Sequence, residues 1–138
     1  MDQKEFNRKL IEEFRAARGA VGGPYANRQI LLLTTIGAQS AQRRTTPVMY
    51  LREGERLFVV ASNAGAVKHP DWYRNLVVYP EVTVEMGSET YDAQAVVLEG
   101  ADRQQIWESI VRQQPFFADH QAKIERQIPV IELILDEN

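Results

Sequence analysis

Residues 29–75 read QILLLTTIGAQSAQRRTTPVMYLREGERLFVVASNAGAVKHPDWYRN, and this stretch decides the fold. Residues 29–35 are a continuous apolar run closed by two threonines, the pattern of a strand buried on both faces. Residues 45–52 alternate around Pro47. Proline has no N–H to give a ladder, so Pro47 belongs at a strand start, an edge or a bulge, where a ligand could meet free backbone. Glu53, Gly54 and Glu55 make a short hairpin turn, and residues 56–61 (RLFVVA) form a third strand, completing a meander. Small residues over 62–66 form a loop. Pro70 then stands at the first helical position of a short aromatic helix over 71–76. Two strand-end loops placed side by side would line one pocket, and most of the unusual residues fall in them.

On the N-terminal side, Phe6, Leu10, Ile11 and Phe14 recur at helical spacing, so residues 2–18 read as an amphipathic helix. Mixed charges favour a helix that caps the core over one that lies on a membrane surface. Residues 19–27 (GAVGGPYAN) are a loop. On the C-terminal side, residues 81–86 and 90–99 form a second hairpin across Gly87 and Ser88. Asp102 is placed to cap a helix bearing Ile106, Trp107, Ile110 and Val111. Residues 114–127 are polar and irregular, with Phe116 and Phe117 at the start and one helical turn. Pro129 introduces a last strand over 130–135. The pattern predicts a mainly β (α+β) domain: a six-stranded antiparallel barrel, closed to leave no long exposed edge, with helices packed around it. Residues 1–27 supply the N-terminal helix and Gly-rich loop of this single domain, and residues 28–138 the barrel.

A chain of 138 residues with 44% apolar content suffices for one compact core. The net charge of −3 is spread along the sequence and does not point to nucleic acid. Without cysteine there is no disulfide framework and no thiolate nucleophile. No apolar run approaches the roughly 20 residues of a membrane span, and the N-terminus lacks a signal-peptide core. A cytoplasmic protein is expected.

The loop over 37–42 (GAQSAQ) lacks the second glycine and Lys of a P-loop, and Ser40 is in no G-x-S-x-G elbow. His69 and His120 are far apart in sequence, and no metal site is expected. Arg43, Arg44 and Lys68 lie near the two loops, where the amides of Gly37 and Gly65 would face a phosphate as in a backbone nest. Read alone, such a cluster is more often a solvated turn, and Trp72 and Tyr73 are more often core than ligand shelf.

From Leu31 onward the chain resembles the deazaflavin-dependent nitroreductase and quinone reductase family, of the split β-barrel flavin and deazaflavin oxidoreductases. One motif is matched by Thr34, Thr35, Gly37, Ser40, Arg44 and Pro47. A second is matched by Ala61, Ser62, Gly65, Lys68, Pro70, Trp72, Tyr73, Asn75 and Leu76. Arg126, Ile128 and Pro129 also fit. The resemblance implies a split barrel that binds coenzyme F420 and passes a hydride to a small apolar electron acceptor of the quinone, enone or nitro type. It implies that Arg44 contacts the cofactor phosphate, aided by Gly37, Gln39 and Arg43, with Lys68 near the acidic tail. The backbone of Ala61, Ser62, Asn63, Ala64 and Gly65 flanks phosphate and ring, and Pro47 and Met49 line the ring's face. Trp72, Tyr73 and Asn75 close the pocket. Ser62 and Tyr73 are the implied donors to the reduced acceptor oxygen.

The chain departs from this pattern at Ala38 and Gln39, where two basic residues are usual, and at Ala41, where glycine is usual. Phe116, Phe117 and His120 stand where tyrosines give other members a more hydroxylated pocket. Two other readings therefore stand beside the first: a barrel that binds a fatty acid or other apolar ligand without turnover, and a flavin mononucleotide reductase. The chain is expected as a monomer or homodimer, with peripheral membrane contact through its N-terminal helix as an option.

Overall fold

The computed structural model describes residues 3–18 and 29–136. The loop expected over 19–27 lies outside them. The elements in chain order are α1 (Gln3–Ala16), β1 (Ile30–Ile36), β2 (Arg43–Glu53), β3 (Arg56–Val60), a 3-10 turn (Asn63–Gly65), α2 (Asp71–Val78), β4 (Glu81–Met86), β5 (Glu89–Val97), α3 (Gly100–Gln113), α4 (Phe116–Ala122) and β6 (Val130–Leu135). The strands form the closed six-stranded antiparallel barrel expected from the sequence, and the structure gives their order as β1-β2-β3-β6-β5-β4. The seam is the β1–β4 pair, from Leu32 opposite Glu85 to Thr34 opposite Thr83.

Side-chain alternation sorts the apolar residues into an interior and two outer layers. Leu31 and Leu33, Leu57 and Val59, Val82 and Val84, and Ile131 and Leu133 meet inside the barrel. Ile30 and Leu32 point outward and are covered by Phe14 of α1. That cover explains why β1 is apolar throughout instead of alternating. On the opposite wall, Phe58 and Val130 are covered by Ile106 and Ile110 of α3 and by Phe117 of α4. Burying each such side chain contributes roughly 1.5–3 kcal/mol. Arg15 adds a two-pronged ion pair to Glu85 at 2.9 and 3.0 Å, which fixes the end of α1 to β4.

Several local expectations are corrected. Asp102 does not cap α3; Glu99 holds the cap position, and Asp102 sits in the first turn. There it binds Arg56, which also binds Glu132, so the carboxylate ties α3 to β3 and β6. Pro70 precedes α2 as its cap residue, with extended backbone at ψ 153°. The irregular segment after α3 contains seven helical residues, because burial of Phe117 rewards helix formation there. No helix among the described residues is long and apolar enough to cross a membrane.

Candidate functional site

The site begins where two neighbouring strands part. β2 pairs with β1 from Met49 to Arg43, but with β3 only from Tyr50 to Glu53. Residues 43–49 therefore have one strand neighbour and one open edge. The amide of Tyr50 donates to the Gln29 carbonyl at 3.0 Å. Hydrogen-bonded and non-bonded pairs alternate along an antiparallel ladder, so Pro47, three residues away, falls at a non-bonded position opposite Leu32. Its missing N–H would have faced the open edge, and proline costs the β1–β2 ladder nothing. Pro47 is thus an edge residue within a paired strand.

Facing that edge is a cleft of about 970 Å³, walled by Thr46–Met49, the loop at 62–64, the approach to α2, and Phe116, Phe117 and His120 from α4. A second cleft of about 840 Å³ lies between the loop at 37–40, Arg43 to Thr46, Arg74, Asn75 and the polar face of α1. Gln3, Asn7, Thr46, Asp71, Trp72 and Arg74 border both, so the two run into each other. Lys4, Arg8, Arg43, Arg44, Lys68 and Arg74 line this combined space against one carboxylate, Asp71. Of these cations, Arg8 is paired with Glu5 and Glu12. Arg43, Arg44, Lys68 and Arg74 enter no ion pair among the described residues. A protein of net charge −3 has gathered unpaired positive charge in one place, which is the electrostatic requirement of an anionic ligand.

The loop after β3 supplies backbone donors. Ser62 is right-handed (φ −74°) and Asn63 left-handed (φ 50°), a sequence that makes successive N–H groups converge into a nest. Ser62, Asn63 and Ala64 all border the first cleft. Ala64 is also left-handed, at φ 55°, a conformation costly for a residue with a Cβ. The strain is held by Arg126, whose guanidinium donates to the carbonyls of Ala61, Ser62, Ala66 and Val67 at 2.8–3.2 Å. It also reaches Nδ1 of His69 at 3.2 Å. Arginine only donates, so that His69 nitrogen is an unprotonated acceptor. Burial, then the charges of Arg126 and Arg74, lowers the His69 pKa and keeps the ring neutral.

Asn75 does the equivalent work for the other loop. It is buried, accepts from the amide of Ala38 at 2.9 Å and donates to Thr35 Oγ1 at 3.0 Å, locking α2 to β1 and to residue 38.

Of the sequence-derived site residues, Pro47, Met49, Ser62, Asn63, Ala64 and Lys68 line the first cleft. Gly37, Gln39, Arg43, Arg44 and Asn75 line the second, and Trp72 borders both. Three lie elsewhere. Tyr73 borders neither cleft; its ring packs on the barrel core and meets the His69 ring at 4.7 Å, tilted by 41°. Ala61 is fully buried, its amide bonded to the Pro129 carbonyl and its own carbonyl to Arg126. Gly65 packs against α4, and its amide bonds the Ser62 carbonyl at 3.0 Å. The amide of Gly37 is likewise committed, to the Gln42 carbonyl at 2.7 Å. Neither glycine amide is available to a phosphate; the nest sits at residues 62–64.

Sequence reasoning missed Arg126 as a clamp, and Arg74, Asp71, Thr46 and His69 as cleft residues. Arg126 has no local signal, because its acceptors lie 59–65 residues earlier and are backbone carbonyls. Arg74 was readable as a third basic residue beside the helix aromatics.

A family model described as F420H(2)-dependent quinone reductase matches residues 6–134. An F420H(2)-dependent quinone reductase of Mycobacterium tuberculosis is 32% identical over 125 residues, 87% of this chain and 83% of the relative. A solved F420-H2 dependent reductase superposes with a TM-score of 0.69 at 39% identity, covering 77% of this chain and 94% of its own. A structure described as a domain-swapped dimer gives a TM-score of 0.71 at 35% identity, over 94% of this chain and 95% of that one.

Proposed function

The chain belongs to the F420H(2)-dependent quinone reductase family, and on that premise we propose that it transfers a hydride from reduced coenzyme F420 to a quinone or similarly electron-poor acceptor in the first cleft. The observation that carries this reading is the joined cleft with six cations against Asp71 along the open edge of β2. Its donors suit a long, flat, anionic cofactor. Arg44 and Arg43 would hold the phosphate, Lys68 and Arg74 the acidic tail, and Pro47 and Met49 the face of the ring. The N–H groups over 62–64 add a second anion-favouring surface. When bound, the cofactor supplies the hydride. The protein's own part is to keep the ring against the acceptor, to flank the acceptor with Trp72, Phe116 and Phe117, and to donate from Ser62 to the acceptor oxygen.

The named relatives do not favour the apolar-ligand or flavin alternatives. An apolar ligand would also leave without a counter-charge four cations that enter no ion pair among the described residues. Leu10 and Phe14 of α1 are buried on the barrel, which supports α1 as a cleft wall more than as a membrane anchor. A homodimer is the assembly to seek by light scattering, given the neighbour described as a domain-swapped dimer. The test of function is oxidation of reduced F420 by menadione with catalytic amounts of protein. Turnover that saturates in both reactants is expected; no rate above the uncatalysed reaction would refute the reading.

A further inference from the structure

His120 stands on α4 at the wall of the first cleft. Its ring meets Phe116 and Phe117 edge-on, at centroid distances of 5.4 and 6.0 Å. Gly65 packs on its backbone; a Cβ there would lie 3.5 Å from the His120 Cα, so the histidine is seated directly against the loop that carries Ser62. Nδ1 of His120 is buried and has no hydrogen-bond partner, alone in this among side-chain polar atoms of the described residues. A hydrogen on Nδ1 would be a sealed, unpaired N–H, the rarer kind of unsatisfied group. The hydrogen therefore belongs on Nε2 of this cleft-lining residue. Phe116 and Phe117 beside it give a flat ring an apolar neighbour, and a fixed donor at that place suits a carbonyl.

Building on the reductase reading, we propose that His120 is a catalytic residue whose Nε2–H donates a hydrogen bond to a carbonyl oxygen of the quinone and holds the negative charge that builds there during reduction. When bound, the reduced cofactor would supply the hydride, a hydrogen with the electron pair of its C–H bond, to the quinone. The quinone gains two electrons, leaving an oxyanion, and one proton from water completes the hydroquinone. The imidazole stabilises this charge without giving up its proton, since the sealed Nδ1 has no source from which to replace it. Burial first, and the Lys123 charge next, lower the His120 pKa against the opposing pull of Asp119, so the ring acts as a neutral donor. A neutral imidazole aimed at a carbonyl is an effective electrophile in a sheltered site.

The test compares wild type, His120→Phe and His120→Gln with menadione at saturating reduced F420. His120→Phe should lower kcat about ten- to hundredfold, the low side of the loss for one oxyanion donor because the cleft is open. Affinity for F420 should stay within about twofold, and His120→Gln, which keeps an N–H donor, should recover most of the rate. A His120→Phe kcat within about twofold of wild type, or a Gln variant as slow as the Phe variant, overturns the proposal. Independently of turnover, ¹⁵N spectra of the cofactor-free protein should show the Nε2–H tautomer, with Nε2 shifting on addition of menadione. An Nδ1–H tautomer overturns the proposal. A wild type that reduces no menadione removes the reductase reading itself, an outcome distinct from an active wild type with an indifferent His120.

Discussion

Arg126 carries more of the site's geometry than most residues that touch the cleft. Lysine has the same charge but three donors from one atom, and it cannot span carbonyls from Ala61 to Val67. Arg126→Lys should cost about 2 kcal/mol of stability and raise amide exchange over 61–68, read by denaturant unfolding and hydrogen exchange; unchanged exchange would deny the clamp. The two neutral histidines give a pH dependence with a definite sign. Both pKa values are lowered from the ordinary 6.5 by burial. Between the folded and unfolded values the unfolded chain binds more protons, so stability is full above pH 6.5 and falls as pH drops through the folded-state values. Unfolding midpoints measured from neutral to acid pH should show this, and His120→Phe should flatten part of it. Arg44 and Lys68, which the local pattern alone would leave as a solvated basic turn, were picked out by the resemblance, and they line the clefts. The clamping by Arg126 and the orphaned nitrogen of His120 were not legible in the sequence, because each is defined by what lies across the fold.

The strand that matters most is β2, whose two halves have different neighbours. Pro47 in the sequence signalled a strand start, an edge or a bulge, and the structure makes it an edge through the parting of β2 from β3. The loop after β1 has a comparable signal in Ala41, which adopts φ 58°, a conformation glycine takes without strain. Ala41→Gly should therefore raise stability by about 0.5 kcal/mol, the relief of left-handed strain less the added chain entropy. A loss measured by chemical denaturation would show that the loop relaxes some other way. Asn75 joins that loop to α2, and Asn75→Ala strands the Ala38 amide and the buried Thr35 hydroxyl. About 1–3 kcal/mol should be lost, together with F420 affinity, because the loop bearing Gln39 loses its anchor. α4 was the least legible element. Its sequence is polar, and only burial of Phe117 against α3 makes it helical beyond one turn.

At the scale of the whole molecule, a barrel with three apolar layers parts where β2 leaves β3, and cations without an ion pair among the described residues collect there. The barrel could be read from alternation and turn residues, since both are local. The parting could not, because it depends on how far β3 follows β2. Charge concentrated at one opening makes ligand binding and stability linked quantities. At a free F420 concentration a hundred times its Kd, the folded state should gain about 2.7 kcal/mol, a rise in Tm of several degrees. High salt should diminish that rise, because much of the attraction is between exposed charges. The central claim, that this opening is an F420 site, is tested most directly by fluorescence titration of the purified protein with oxidised F420, with flavin mononucleotide as competitor and Arg44→Ala as control. The account predicts saturable micromolar binding that excess flavin mononucleotide does not displace and that Arg44→Ala weakens by about tenfold or more, an energy of roughly 1.4 kcal/mol. Absence of saturation at high micromolar F420, or displacement by the flavin, would contradict it.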